Sequence, residues 1–272
     1  MAFENRIIPL SELPLSNDFM FGAVMHSEEI CKLFLEELLG HDIRRIEFID
    51  RQKDLGDSYE YHGVRLDVYL KDEAGTVFDV EMQAARSGDL PRRARFYQSG
   101  IDREELPKGV SYDELSESYV IFVCDFDCFG IGKAVGERVS FLKGTDTPYD
   151  DGSHVYFLNS RYKEGNASPA ILEFLDLIRT NDLQNPYSTA LGQKTREQIQ
   201  TVREDKTLEV SYMTYQQKML DERRFGFNEG LEQGREQEFV TTVRRMRRVG
   251  LDDETIAQST GRDLETVRQV RS

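Results

Sequence analysis

Two stretches in the first third of the chain place polar side chains at every second position, between apolar ones. The polar members are Arg65, Asp67 and Tyr69 in the first stretch and Asp79, Glu81 and Gln83 in the second. Carboxylates are the ligands that hard divalent cations such as Mg²⁺ and Mn²⁺ take in proteins. If the two stretches are neighbours, the carboxylates of Asp67 and Glu81 could therefore hold such a cation.

The alternation predicts two β-strands joined by a hairpin. The apolar residues of 64–70 and of 78–82 recur with period two, which places each set on one face of its strand. Burying both apolar faces on the same side restricts the register, because a slip of one residue would turn one strand over. Closing the hairpin with Asp72 opposite Thr76 leaves the loop Glu73-Ala74-Gly75, with glycine where a left-handed conformation is expected.

That register places Asp67 directly opposite Glu81. Directly opposed Cβ atoms lie about 4.5 to 5.5 Å apart. Two carboxylates that close repel each other unless a cation lies between them, and Mg²⁺ or Mn²⁺ is the natural occupant. Alternatively, both carboxylates belong to the solvated face of an amphipathic hairpin, because strands often expose Asp and Glu.

A basic helix follows the hairpin. Pro91 stands at its first turn, and the pattern predicts that it extends to about Glu105. The helix carries Arg92, Arg93 and Arg95, with Tyr97 one turn after Arg93. The chain as a whole has a net charge of -15, which excludes a protein that coats nucleic acid through bulk electrostatics. A local arginine cluster in such an acidic chain suits contact with phosphate groups.

The surrounding elements predict an α/β fold. The pattern indicates a helix from residue 18 to 39, broken near His26, and strands at 43–49, 118–124, 139–142 and 154–158. The 118–124 run is continuously apolar, which is typical of a strand covered on both faces. Ser168-Pro169 begins a further helix that reaches Ile178.

Composition changes after Asn185-Pro186, where long polar helices begin. We predict an α/β domain at 1–185, a polar helical linker or oligomerisation region at 186–238 and a small helical segment at 239–272. Gly226, Gly230 and Gly234 recur every four residues within predicted helix, which indicates a close helix contact or a hinge, and we expect a homodimer. The last segment resembles a helix-turn-helix that reads DNA, or equally a helical hairpin that mediates dimerisation.

Other sites and compartments are less favoured by the sequence. Cys31, Cys124 and Cys128 are an odd number in a long chain, so we expect reduced thiols, and the absence of a His or Cys partner cluster argues against zinc. No apolar run approaches the roughly 18 to 20 residues that a membrane span needs. The N-terminus lacks the pattern of a secretory signal. We therefore expect a cytoplasmic protein that does not contact the membrane.

Five motifs together resemble the Rpn family of recombination-promoting nucleases and putative transposases, which belongs to the PD-(D/E)XK superfamily. They are Asn17-Asp18-Phe19-Met20-Phe21, Arg65-Leu66-Asp67-Val68, Asp79-Val80-Glu81-Met82-Gln83, Arg93-Ala94-Arg95-Phe96-Tyr97 and Cys124-Asp125-Phe126-Asp127. The resemblance covers roughly residues 14 to 270. It implies a restriction-endonuclease-like αβββαβ core with a C-terminal helical extension, and metal-dependent cleavage of DNA phosphodiesters in recombination or mobile elements.

The resemblance also implies individual roles. Asp67 and Glu81 match the acidic metal ligands, the backbone carbonyl of Met82 completes the coordination, and Gln83 takes the place of the superfamily lysine. Arg93, Arg95 and Tyr97 match the helix that contacts DNA phosphate. Gln83 departs from the lysine pattern and cannot supply positive charge to the reacting phosphate, so catalysis would depend more heavily on the metal. A catalytically inactive DNA-binding or oligomerising adaptor that keeps the fold is the alternative.

Overall fold

A computed structural model describes residues 8–50, 53–55, 64–66, 68–86 and 88–271 of the chain. Its strands are β1 Ile46–Asp50, β2 Lys53–Leu55, β3 Val64–Leu66, β4 Val68–Asp72, β5 Val77–Gln83, β6 Ser118–Cys124, β7 Val135–Glu137 and β8 Ser153–Asn159. Its helices are α1 Asp18–Met25, α2 Glu28–Leu39, α3 Leu90–Glu105, α4 Pro169–Thr180, α5 Ala190–Glu204, α6 Lys206–Arg248, α7 Asp253–Thr260 and α8 Leu264–Gln269.

A mixed sheet of six strands organises the described part of the first 209 residues. Its strand order is β1-β4-β5-β6-β8-β7, and β2 pairs separately with β3. The pairs β1/β4, β4/β5 and β7/β8 are antiparallel, whereas β5/β6 and β6/β8 are parallel. Helix α3 makes the crossover between the parallel strands β5 and β6, as a parallel connection requires. The succession α2, β1, β4, β5, α3, β6 is the αβββαβ core expected from the sequence.

The β4–β5 hairpin has the predicted register. Val68 pairs with Val80, Tyr69 with Asp79 and Leu70 with Phe78. The turn closes as expected, because the Asp72 amide donates to the Thr76 carbonyl at 3.1 Å and the Asp72 carboxylate accepts from the Thr76 amide at 2.9 Å. Gly75 has a φ of 88°, a conformation that glycine adopts at little cost.

The N-terminal helix is interrupted where the sequence predicted. Asn17 caps α1, since its side chain accepts from the amides of Phe19 and Met20. Helix α1 ends at Met25, α2 begins at Glu28, and Gly40 terminates α2 with a φ of 75°. Phe21 and Phe34 from this pair of helices contact Phe174 of α4, with ring centroids 6.4 and 5.0 Å apart.

Helix α3 covers the second face of the sheet. Its buried residues Leu90, Ala94, Tyr97 and Ile101 pack with sheet residues that include Phe122. Strand β5 is consequently buried on both faces, and every one of its residues is buried. The solvated hairpin face that the sequence left as an alternative is therefore wrong for β5.

The strand predicted at 139–142 is wrong. Strand β7 lies earlier, at Val135–Glu137, and residues 138–152 form an exposed turn-rich segment. Val139, Phe141 and Leu142 are each at least half exposed, so their apolar character imitates a strand without burial. Strand β8 and helix α4 agree with the predictions, and the Ser168 side chain accepts from the Ile171 amide at the start of α4.

Contacts divide the chain into two compact units, 1–209 and 210–272. Helix α5 contacts α1, α2 and α4 within the first unit. Its packing therefore differs from the polar linker that the sequence predicted from residue 186, because Leu191, Ile199 and Val202 form a buried stripe. The assignment of functional domains at 1–185, 186–238 and 239–272 stays a prediction.

The second unit consists of most of the long helix α6, followed by the two short helices α7 and α8. Phe239 and Val243 of α6 pack with Ile256 of α7, Val267 of α8 and Val270. Asp252 and Asp263 cap α7 and α8 by accepting from the amides of Thr255 and Thr266. Helix α6 continues through Gly226, Gly230 and Gly234, and apart from the adjoining residues and backbone of α6 no described atom lies within 4 Å of a Cβ placed at any of them.

Candidate active site

Strand β5 presents three polar side chains toward α3. Asp79, Glu81 and Gln83 alternate with Phe78, Val80 and Met82, so period two places them on one face. The three are buried, with 0%, 3% and 9% of their surface exposed. Few buried faces carry charged groups, because removing a charge from water is costly unless it is paired. This face of the sheet is consequently a candidate for chemistry rather than for packing alone.

Arg93 on α3 connects the polar side chains of the site. Its Nη1 donates to Gln83 Oε1 at 2.6 Å, and its Nη2 donates to the Tyr97 hydroxyl at 2.6 Å. The same Nη2 lies 3.4 Å from Glu81 Oε2. The Gln83 amide completes the arrangement by donating from Nε2 to Glu81 Oε2 at 3.3 Å. We call Glu81, Gln83, Arg93 and Tyr97 the site cluster.

The local sequence explains how Arg93 and Tyr97 reach the sheet together. Pro91 at the first turn of α3 begins the helix, and residues four apart lie on the same helix face. Ala94 between them is small and buried, which lets the helix approach the strands closely. The guanidinium of Arg93 also lies 5.4 Å from the Tyr97 ring centroid and 5.8 Å from that of Phe122. These contacts fix the orientation of the guanidinium over Glu81 and Gln83.

The electrostatics of the site cluster keep its members in defined protonation states. Partial burial lowers the pKa of Arg93, but the hydrogen bond with Tyr97 and the charge of Glu81 outweigh this and raise it above its usual value. Burial, followed by the charge of Glu81, raises the pKa of Tyr97 above its usual range. Tyr97 therefore stays protonated at neutral pH, and its hydroxyl can donate to Glu81 Oε2, 3.5 Å away.

The structure brings some of the predicted site residues together. Glu81, Gln83, Arg93 and Tyr97 form the site cluster, whereas Arg95 lies on the exposed face of α3. Tyr97 is only 5% exposed. Its hydroxyl therefore acts inside the cluster rather than on the protein surface. The Met82 side chain is buried on the opposite face of β5. Asp67 lies outside the described residues.

Asp79 is a buried acid that the sequence reasoning did not assign. It lies on the same face as Glu81, one pleat nearer the hairpin turn, and its partner across β4 is Tyr69. Its negative charge contributes to raising the pKa of Tyr97, after burial and Glu81. The signal was present in the sequence, since Asp79, Glu81 and Gln83 share one period-two series.

A second polar group lies where the parallel strands end. Asp125, directly after β6, accepts from the Ser160 hydroxyl at 2.6 Å and from Arg161 Nε and Nη2 at 2.9 and 3.0 Å. The Asp125 amide donates to the Gln83 carbonyl at 3.0 Å, which joins this group to the site strand. Sequence patterns could not reveal Ser160 and Arg161, because they approach Asp125 only through the pairing of β6 with β8.

The family comparison supports a nuclease reading of this geometry. A family model described as PD-(D/E)XK nuclease family transposase matches residues 15–159, which is more than half of the 272 residues. The chain belongs to this family. The match confirms the resemblance expected from the sequence, and it contains the hairpin, Glu81, Gln83 and Arg93. Comparisons with curated proteins and with solved structures gave no match.

Members of a nuclease family of this kind generally use divalent metals. Glu81 offers a carboxylate, and Mg²⁺ and Mn²⁺ prefer oxygen ligands of that type. Within the ranges that the structure describes, no group of three or more His, Cys, Asp and Glu side chains could hold a metal ion. Among the described residues, the site therefore offers the Glu81 carboxylate as one ligand of a metal site.

None of the described helices combines the length and hydrophobicity that a membrane crossing requires.

Proposed function

We propose that this protein is a Mg²⁺- or Mn²⁺-dependent DNA endonuclease that hydrolyses phosphodiester bonds in recombination or mobile-element processes. The observation that carries the proposal is the position of Arg93, whose guanidinium binds the Gln83 amide oxygen at 2.6 Å beside the buried carboxylate of Glu81. The acid and the amide of β5 and the guanidinium of α3 thereby meet at one place in a nuclease-family core.

Glu81 and Asp67 are the proposed metal ligands, with the Met82 backbone carbonyl as a third. The pairing of Val68 with Val80 supports this choice, because it has the register from which the sequence predicts residue 67 opposite residue 81. A divalent cation held by these groups would lower the pKa of a bound water and would neutralise charge on the scissile phosphate. In the absence of the metal, Arg93 balances part of the charge of Glu81.

Arg93 is proposed to supply the positive charge that Gln83 lacks. In the superfamily pattern a lysine on the strand provides this charge, whereas here the strand provides a neutral amide and the helix provides the guanidinium. An arginine presents several N–H donors in a fixed plane, so Arg93 can hold a phosphate oxygen while it remains bonded to Gln83. Tyr97 positions Arg93, and the exposed Arg95 contacts a flanking phosphate.

A plasmid-nicking assay with Mg²⁺, Mn²⁺, Ca²⁺ or EDTA tests the proposal. We expect nicking with Mg²⁺ or Mn²⁺, none with EDTA, and none in Asp67→Ala or Glu81→Gln, because either variant removes a proposed metal ligand. Glu114→Gln, which changes an exposed acid, is the matched control and should nick at the wild-type rate. Full activity of Asp67→Ala would contradict the assignment. Wild-type protein that binds DNA without nicking it would instead support the inactive adaptor.

We also propose a homodimer that forms along α6. Phe227 and Leu231 lie four residues apart on one face of α6 and are exposed beside Gly230, and this apolar surface next to a small residue could receive a second helix. Light scattering on the purified chain should then give twice the 31.5 kDa of one chain. Replacing Phe227 with Glu should shift the mass to that of a monomer. A wild-type mass of 31.5 kDa would exclude the dimer.

A further inference from the structure

Cys124 and Cys128 bring two thiols close together at the end of β6. Their sulfur atoms lie 3.9 Å apart, and both cysteines are free. Cys124 is completely buried, whereas Cys128, four residues later, is partly exposed. One sulfur can therefore meet a dissolved reagent, while the other can be reached only through the first.

The thiol pair adjoins the site cluster. In the parallel pairing of β5 with β6, Cys124 lies directly beside Gln83. Cys124 belongs to the buried group that contains Tyr97 and Phe122, and Cys128 packs against the same group. In addition, Arg86 Nη2 donates to the backbone carbonyl of Asp127 at 2.7 Å, within the turn that separates the two cysteines. A covalent change at the thiol pair would therefore shift the groups around the contact between Gln83 and Arg93.

We propose that Cys124 and Cys128 form a reversible dithiol–disulfide modification site, oxidised by small disulfides such as oxidised glutathione. A disulfide requires the two sulfurs to approach to about 2.05 Å, a displacement that a four-residue turn and side-chain rotation can supply. A metal ion is the poorer reading of the pair, because the described residues offer no third His, Cys, Asp or Glu ligand around it.

The asymmetry between the two thiols sets the order of the reaction. The interaction between the two thiols lowers the pKa of Cys128, and the same interaction, followed by burial, raises the pKa of Cys124. The Cys128 thiolate attacks one sulfur of glutathione disulfide, breaks its S–S bond and releases one glutathione thiolate. Cys124 then loses its proton, attacks the Cys128 sulfur and displaces the second glutathione. Two protein thiols are oxidised, one glutathione disulfide is reduced, and the two thiol protons go to the two glutathiones.

The consequence for the active site rests on the proposed function, whereas the disulfide chemistry does not. Formation of the disulfide pulls Cys128 and the 125–127 turn toward the end of β6. This turn begins at Asp125, whose amide donates to the Gln83 carbonyl. Because a misplacement of about 1 Å can lower a catalysed rate by up to about 100-fold, we expect oxidation to slow nicking by about tenfold or more.

Mass spectrometry of the full chain treated with oxidised glutathione tests the site. Wild-type protein should lose two hydrogens and yield a Cys124–Cys128 disulfide peptide, and a dithiol reductant should reverse the change. Cys124→Ser should retain one glutathione on Cys128, because the thiol that displaces it is missing. Cys128→Ser should stay unmodified, since Cys124 and Cys31 are buried. Cys31→Ala is the matched control and should form the disulfide as wild type does.

Each outcome bears on a separate part of the proposal. Unmodified wild-type protein, or a Cys124→Ser variant that traps no glutathione, would overturn the modification site. A disulfide that forms while the nicking rate stays unchanged would overturn its link to the active site. If the wild-type chain nicks no DNA at all, the mass measurement still decides whether the disulfide forms, and the proposed function fails by itself.

Discussion

Arg93 in the first unit and Arg247 in the second both bind several groups, but the groups differ in kind. Arg93 binds the side chains of Gln83, Glu81 and Tyr97. Arg247 binds the carboxylate of Asp253 with Nε at 2.9 Å, and it donates to the backbone carbonyls of Val267 and Val270. The two side chains are about equally buried, with 30% and 23% of their surface exposed.

If the proposed function holds, the difference separates a functional arginine from a structural one. Arg247 of α6 binds Asp253 in α7 and donates to the carbonyls of Val267 and Val270 at the end of α8, so it holds the three helices of the second unit together. The backbone of Gln83 and Glu81 is already paired with β6, and the bonds of Arg93 go to side chains rather than to that backbone. The contacts of Arg93 instead order three side chains that could bind substrate.

Removing the Arg93 guanidinium should produce the largest loss of activity among these variants. For Arg93→Ala we expect the nicking rate to fall by about 10²–10³-fold, the usual cost of deleting a group that stabilises transition-state charge. The free energy of unfolding should fall as well, because Glu81 stays buried without its counter-charge. Rates are therefore compared at a temperature where circular dichroism shows a folded variant.

Arg103→Ala is the matched control for Arg93→Ala, because it removes an exposed arginine from the last turn of the same helix. It should nick at the wild-type rate. Equal rates for Arg93→Ala and the wild type would remove the functional side of the comparison and leave Arg93 as a packing residue.

Removing the Arg247 guanidinium should lower stability and leave the nicking rate of the folded protein unchanged. We expect Arg247→Ala to lower the free energy of unfolding of the second unit by about 2 kcal/mol, because hydrogen bonds to a charged group are lost. For a unit of this size, that corresponds to a fall in Tm of roughly 10 °C. Arg248→Ala, which changes an exposed neighbour, should leave Tm unchanged in calorimetry. A lower nicking rate of folded Arg247→Ala would show that this arginine also serves the reaction.

Glu173 is an acidic counterpart of Arg247, since it too binds backbone groups. Its carboxylate accepts from the amides and hydroxyls of Ser188 and Thr189, which begin α5. Burial raises the pKa of Glu173, but these hydrogen bonds outweigh it and lower the pKa to about 2 from an ordinary 4.5. The ionised form is thus favoured in the folded state, and its stabilising effect is present above pH 4.5 and is lost as the pH falls toward about 2.

Thermal unfolding at a series of pH values checks this smaller effect. At neutral pH, Glu173→Gln should unfold at a lower temperature than the wild type. The difference should shrink as the pH falls below about 4.5, down to the lowest pH at which the wild type still unfolds cooperatively. Glu197→Gln changes an exposed acid on α5 and should show no such pH dependence. A difference that is constant with pH would mean that the charge of Glu173 contributes nothing.

The sequence predicted the hairpin well because local chemistry determines it. The Asp72 to Thr76 turn and the period-two apolar series admit one register, and the paired strands have it. The burial of Glu81 was harder to foresee, since it depends on how the following helix α3 packs over that face, and the polar site residues interrupt the apolar pattern of the face. The continuous apolar run of β6 was the available hint, because such a strand needs cover on both sides.

Arg93 shows why the site itself was only partly predictable. Its place on a basic helix was evident from the sequence, but its contact with Gln83 depends on the angle at which α3 crosses β5, which no residue pattern encodes. The wrong strand at 139–142 has a similar origin. Val139, Phe141 and Leu142 have strand-like composition, and only the tertiary packing decides that they stay exposed.

Relocating the positive charge from α3 to β5 tests most directly whether Arg93 replaces the lysine of the superfamily pattern. The measurement is the initial nicking rate of Gln83→Lys combined with Arg93→Ala, compared with Arg93→Ala alone. Gln83→Met in the same background is the control, because it fills similar space without charge. We expect the lysine variant to nick at least about tenfold faster than Arg93→Ala, a recovery of about 1.4 kcal/mol in barrier height. A rate no faster than that of the methionine control would contradict the role of Arg93.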